Sequence, residues 1–157
     1  MTGTHSTILL VEDNPDDEML ARRAFLAFND ETRKHSMTVA RDGLEAIRHA
    51  TGCATPPSLV LLDLNLPGAD GFQVLEAIRR HPPAANTPVV VLTSSSNSQD
   101  ISRAYSLGAN SYITKPVDFA RFIEVVRELS EYWLVLNSDA KAAAVPGTQP
   151  TTPPRAD

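Results

Sequence analysis

Five short apolar runs separated by long amphipathic stretches constrain this chain more than any other feature. They are Ile8-Leu9-Leu10-Val11, Met37-Thr38-Val39-Ala40, Leu59-Val60-Leu61-Leu62, Val89-Val90-Val91-Leu92 and Tyr112-Ile113. The first, third and fourth are unbroken leucine and β-branched runs, the pattern of strands buried on both faces. Helix signals fill the gaps. Asn14-Pro15 reads as an N-cap with proline at the first helical position, and Leu20, Ala24, Ala27 and Phe28 then share a face. Gly43 to Ala50 fits a short helix, and Asp70 caps one through Phe72, Leu75 and Ile78 that stops at Pro82-Pro83. Ser98 caps another, through Ile101 and Tyr105 to Gly108. Asp118 starts the longest, with Phe119, Phe122, Ile123, Val126 and Trp133 on one stripe. Strand and helix alternating in this way predict an α/β fold, a parallel sheet with helices on both faces. In such sheets functional groups collect at the carboxyl ends of the strands.

Composition narrows the function. The 157 residues suit one domain, and a net charge of −5 argues against nucleic acid as a partner. The lone Cys53 excludes an internal disulfide and a zinc site, and reads as a small residue near a loop. No apolar run approaches the roughly twenty residues of a membrane span. Met1 to Thr7 lacks the layout of a signal peptide, so the cytoplasm is the expected compartment. His5, His35, His49 and His81 show no ligand spacing and read as solvated surface positions. Residues 138–157 hold Ala, Thr and four prolines, and are read as a disordered tail behind a domain over residues 1–137. With such a tail, no DNA-binding output module is expected.

The residues that end the runs carry the chemistry. Strand one ends in Glu12-Asp13, strand three in Asp63 and strand four in Thr93, while strand five leads into Lys115-Pro116. Three acids, a hydroxyl and an amine would converge on one sheet edge. Like charges about 4 Å apart repel by roughly 4 kcal/mol at an effective dielectric near 20, so the acids need counter-charge. Lys115 supplies one positive charge and a divalent cation the rest, and oxygen ligands in an open cleft suit Mg²⁺. Asp63 is then a candidate nucleophile toward a phosphoryl group, with Lys115 and Thr93 holding phosphoryl oxygens. Singly, each residue has a plainer reading. Asp13 and Asn14 suit a turn or cap, Thr93 a turn with Ser94 and Ser95, and Lys115 a solvated surface. Jointly, at the ends of the right strands, they do not.

These stretches resemble the receiver domains of two-component response regulators. The resemblance rests on Ile8 to Asn14, Leu61 to Gly71, Val91 to Ser94 and Gly108 to Pro116, and covers roughly residues 6–136. It implies a flavodoxin-like, doubly wound sheet of strand order 2-1-3-4-5. Asp63 would be the phosphoacceptor, Asp13 a direct Mg²⁺ ligand, Glu12 a ligand through water, and the backbone carbonyl of Asn65 a further ligand. Thr93 and Lys115 would bind the phosphoryl group, a cis peptide bond would join Lys115 and Pro116, and Tyr112 would be the switch aromatic. The partner would be a sensor histidine kinase. The downstream protein is not encoded, and the surface offered to it would be the helix near Ser98, strand five and the helix from Asp118.

Two features narrow the resemblance toward the stand-alone regulators paired with bacterial and cyanobacterial phytochrome kinases. One is the polar insertion Asn29 to Ser36, the other the final helix ending Glu131-Tyr132-Trp133-Leu134. In that helix Val125, Leu129, Tyr132 and Leu136 are spaced to form a second apolar face, read either as edge packing or as a homodimer surface. Asn65 and Ser95 lie where they would tune acyl-phosphate lifetime. Two alternatives stay open. A haloacid-dehalogenase-type phosphatase also uses an Asp nucleophile, but wants a second acid where this chain has Asn65. A pseudo-receiver would bind partners without taking phosphate, yet this chain keeps the full residue set. The expectation is therefore a signalling protein that catalyses only its own phosphorylation and dephosphorylation.

Overall fold

The computed structural model describes residues 4–28, 33–52 and 55–136; Cys53 and residues 138–157 lie outside them. In chain order the elements are β1 (Thr4–Val11), α1 (Pro15–Phe28), β2 (Arg33–Ala40), α2 (Gly43–Thr51), β3 (Leu59–Leu62), α3 (Gly71–Arg80), β4 (Val89–Thr93), α4 (Ser98–Ser106), β5 (Ser111–Thr114) and α5 (Phe119–Ser130). A 3-10 turn at Pro82–Ala84 follows α3, and a π-helical stretch at Glu131–Leu136 continues α5. The five strands are parallel in the order β2-β1-β3-β4-β5, which is the flavodoxin-like order the resemblance implies.

The core divides on the two-residue period of the strands. Ile8, Leu10, Leu59, Leu61, Val90 and Leu92 face α1 and α5. Leu9, Val11, Val60, Leu62, Val89 and Val91 face the side that holds α2, α3 and α4. Both faces are covered, so the strands read as unbroken apolar runs rather than as alternation.

Register places the strand ends. Val11 pairs with Leu62 and Leu62 with Val91, so Glu12 and Asp63 leave their strands at one level and Thr93 stands beside them. On the far side Thr93 pairs with Thr114, which sets Lys115 one residue beyond the sheet.

The helix caps follow the sequence closely. Asn14 Oδ1 accepts from the backbone of Asp16 and Asp17 at 2.9 and 3.2 Å, and Asp118 caps α5 through Ala120 and Arg121. Asp70 and Gln73 form a reciprocal capping box on α3.

Several expectations shift. The cap of α4 is Asn97, accepting from Gln99 N at 2.8 Å, and Ser98 is the first helical residue. The buried stripe of α1 is Leu20, Ala21, Ala24 and Phe25; Ala27 is exposed and the side chain of Phe28 lies outside the described set. Phe119 does not join the core stripe: as the first residue of α5 it precedes the turn that packs on the sheet and is 70% exposed. Val125 and Leu129, left open between packing on the domain and a dimer surface, take the first: each is 1% exposed in the same core as Phe122, Val126 and Trp133. Their 4-residue spacing runs along the wide stripe that meets α1 and the sheet, so they offer no surface for a dimer. Tyr132 packs against that core too, and the side chain of Leu136 lies outside the described set.

Half of the polar insertion is strand. Arg33 to Ser36 extend β2 and pair with Thr4 to Thr7, while residues 29–32 lie outside the described set. His35 is buried in that extension, 7% exposed with its ring 6.0 Å from Phe25, and is not a surface histidine. His49 and His81 are partly exposed, and the side chain of His5 is not described. Finally, the described residues contain no cis peptide bond, so Lys115–Pro116 is trans. The trans form is the lower in energy for X–Pro unless packing enforces cis, and here Lys115 reaches the site from a trans bond.

Candidate functional site

Three neighbouring strands and one loop bring Glu12, Asp63, Thr93 and Lys115 into direct contact. Asp63 is 6% exposed, Glu12 3% and Thr93 0%. Asp63 Oδ1 accepts from the Thr93 hydroxyl at 2.9 Å and from the Asn65 backbone N–H at 3.1 Å; Oδ2 accepts from Lys115 Nζ at 2.9 Å. Backbone bonds fix the two acids first: Asp63 N donates to Val11 O, and Glu12 N to Ala40 O. Behind Asp63 the chain turns so tightly that a Cβ on Gly71 would stand 2.6 Å from the Asp63 carbonyl oxygen. Only glycine allows that approach.

Lys115 reaches further than the sequence reading anticipated. Its Nζ lies 2.6 Å from Glu12 Oε1 and 2.8 Å from Asp17 Oδ2, besides its bond to Asp63. Asp17 was not singled out from sequence, where an acid in the first turn of a helix reads as a favourable charge at the positive end of its dipole. Only the fold brings it to Lys115, 98 residues away.

Charge and burial oppose each other here. Burial pushes the Glu12 carboxyl up from its ordinary 4.5 to about 7; the Lys115 bond and charge pull it down, and the Asp63 charge adds to the rise. Burial works against the Lys115 ammonium, but its bonds to Asp17, Glu12 and Asp63 outweigh that and hold its pKa above the usual lysine value.

Glu12, Asp13 and Asp63 each bring one carboxylate oxygen within 4.8 Å of the others, and Asp13 is the exposed member. Hard oxygen donors at the open edge of a pocket fit Mg²⁺, with room for water on the Asp13 side. The Asn65 backbone enters the site through its N–H to Asp63.

Tyr112 sits on the far side of Thr93. Its hydroxyl donates to Ser95 O at 2.7 Å, and its backbone N–H donates to the Tyr105 hydroxyl at 3.1 Å. Burial raises the Tyr112 pKa, with the Ser95 bond working against it and the charges of Asp100 and Asp63 adding to it. Ser95, expected near the acyl phosphate, turns its own hydroxyl to Asp100 at 2.7 Å. Among the described residues no helix is long and apolar enough to cross a membrane.

Comparison with known proteins agrees with this geometry. The family model described as "Response regulator receiver domain" matches residues 8–127. The probable methanogenesis regulatory protein FilR2 of Methanothrix harundinacea is 43% identical over 131 residues, covering 83% of this chain and 84% of its own. The response regulator Rcp1 of Synechocystis sp. is 36% identical over 132 residues, covering 81% of this chain and 88% of its own. The Mn²⁺-bound structure of Rcp1 superposes with a TM-score of 0.75 over 83% of this chain and 95% of that one. The phosphorylated cyanobacterial phytochrome response regulator RcpA is 37% identical, with a TM-score of 0.79 over 92% of this chain and all of that one.

Proposed function

Since this chain belongs to the response regulator receiver family, we propose that Asp63 is its phosphoacceptor and that the contacts around Asp63 convert phosphorylation into a change of binding surface. The protein is a receiver-domain response regulator, homologous to the response regulator Rcp1 and to the phytochrome response regulator RcpA. One observation carries the site reading: the Asp63 carboxylate, almost wholly buried, is bonded at once to Thr93 and to Lys115. That is the donor set a phosphoryl group needs on arrival.

Receiver domains take their phosphoryl group from histidine kinases and bind Mg²⁺ at their acidic pocket. Glu12, Asp13 and Asp63, with the Asn65 backbone carbonyl, would hold the ion. When bound, it neutralises charge on the phosphoryl oxygens and the acids alike. An Asp63 carboxylate oxygen attacks phosphorus, a P–O bond forms, and the P–N bond to the kinase histidine breaks with its electron pair leaving on the imidazole. Lys115 and Thr93 then turn from the carboxylate to the phosphoryl oxygens. As Thr93 moves, Tyr112 is the group next to feel it, because its hydroxyl is tied to Ser95, two residues along the same loop. The output face is then α4, β5 and α5, where Tyr105, Val117 and Phe119 are exposed.

The name of one relative, the cyanobacterial phytochrome response regulator RcpA, supports a phytochrome-type sensor kinase as the donor. In this reading the protein signals in the cytoplasm, with self-phosphorylation and dephosphorylation as its whole catalysis. The domain spans residues 1–137 in this reading, with 138–157 a tail. A homodimer would use a surface other than Val125 and Leu129, and light scattering of the unphosphorylated protein reads its mass. The decisive test is intact mass after incubation with Mg²⁺ and acetyl phosphate. A gain of one phosphoryl group is expected in the wild type, and none with EDTA present or in Asp63→Asn. No gain in the wild type would leave a binding module that never takes phosphate.

A further inference from the structure

We propose that Asp17 is a positioning residue for phosphoryl transfer, the fixed anchor from which Lys115 exchanges the Asp63 carboxylate for the incoming phosphoryl group. The inference rests on Asp63 being the phosphoacceptor.

Count the donors on Lys115. An ammonium has three N–H groups, and Glu12, Asp17 and Asp63 take one each at 2.6, 2.8 and 2.9 Å. No hydrogen is left for a phosphoryl oxygen, so at least one carboxylate must give way. Asp63 gives way as it becomes an acyl phosphate and loses its charge. Glu12 is a candidate metal ligand, so its oxygens are claimed elsewhere. Asp17 has neither role. It lies outside the acid cluster, and its backbone is pinned by the Asn14 cap on the first turn of α1.

Asp17 therefore keeps its bond while the other two partners change. Its charge also holds the end of β5 against α1, because Lys115 follows directly on that strand. Without Asp17 the ammonium pivots freely between Glu12 and the pocket mouth, and the transition state loses a pre-placed cation.

The experiment follows phosphoryl gain from acetyl phosphate at saturating Mg²⁺ by intact mass. In that reaction the P–O bond to acetate breaks as the bond to Asp63 forms, with acetate leaving. Asp17→Asn should be slower by about tenfold, the loss expected for one charge-assisted hydrogen bond at the lower end of its range. Asp17→Glu should recover part of the rate. Asp16→Asn removes the same charge from an exposed neighbour that makes no bond to Lys115, and should match the wild type. The slowing by Asp17→Asn should vanish in a Lys115→Ala background, because the residue acts only through Lys115. Exchange of the Lys115 ammonium protons, read by NMR on the unphosphorylated protein, should quicken in Asp17→Asn alone.

An unchanged rate in Asp17→Asn would overturn the inference. So would equal slowing with and without Lys115, which would reduce Asp17 to a support of α1. No phosphoryl gain in the wild type would instead bring down the phosphoacceptor reading, and this inference with it.

Discussion

The Thr93 hydroxyl donates to Asp63 Oδ1 at 2.9 Å, and neither residue is more than 6% exposed. A hydroxyl with no water to turn to is committed to that carboxylate until something larger occupies the pocket. Thr93→Val keeps the shape and removes the donor, so Asp63 Oδ1 retains only the Asn65 N–H. Urea denaturation without metal should show a loss of about 1–2 kcal/mol. Phosphoryl gain should slow, and the link from Asp63 to Tyr112 should break even in the phosphorylated protein. An unchanged unfolding midpoint would mean that the bond adds nothing before phosphorylation.

Glu12 gives the site a pH dependence. Its pKa in the folded chain is about 7 against an ordinary 4.5, because burial disfavours the charge. As pH falls through 7 the carboxyl takes up a proton and the acid cluster loses a charge, so Mg²⁺ affinity should fall below pH 7 and level off above it. For the metal-free protein the sign is opposite to that of an ordinary paired acid. The folded state holds a proton that the unfolded state releases, so the contribution of Glu12 is present below 4.5 and is lost as pH rises to about 7. Calorimetric Mg²⁺ titrations on either side of pH 7 check the first statement, and Glu12→Gln should flatten the profile.

Arg79 ties three segments together away from the site. Its guanidinium donates to Gly108 O twice, at 3.0 and 2.8 Å, to Ala85 O and Thr87 O at 3.1 and 2.7 Å, and to Asn110 Oδ1 at 2.8 Å. Gly108 turns there with φ of 103°, which glycine alone adopts freely. Arg79→Ala should cost about 2–3 kcal/mol in urea denaturation. Arg79→Lys should recover little, since a point charge cannot span the fork.

Gly71→Ala tests the floor beneath the phosphoacceptor. The new methyl would lie 2.6 Å from both the Asp63 carbonyl oxygen and the Leu64 Cα, two backbone atoms with no rotamer to escape into. Destabilisation of about 1–3 kcal/mol is expected. The rate of phosphoryl gain should fall as well, because the end of β3 must shift. Measuring both in one preparation separates the two effects.

What could be read from the sequence was whatever a strand period or a strand end encodes. Leu59 to Leu62 and Val89 to Leu92 announce buried strands, and Glu12, Asp63, Thr93 and Lys115 fall in place once those strands are parallel and adjacent. What escaped depended on contacts between elements far apart in the chain. Asp17 carries no motif, and its role exists only because α1 and the end of β5 meet. His35 reads as a surface position because the insertion around it is polar, but pairing of Arg33 to Ser36 with β1 makes half of that insertion strand and sets the ring against Phe25. For Val125 and Leu129 the sequence leaves packing and a dimer surface equally open, because helical spacing reports a stripe but not its width; the stripe of α5 is wide enough to hold both in the core.

The shared level at which β1 and β3 end, with β4 running on to Thr93 beside it, has a consequence for how such a protein diversifies. The chemistry depends on strand register: deleting one residue from β3 would carry Asp63 to the opposite face and dismantle the pocket at a stroke. The outward faces of the helices carry no such constraint, and Val117 and Phe119 stand clear of the core. Lineages are therefore free to redraw whom the molecule recognises while inheriting its reactive edge unaltered.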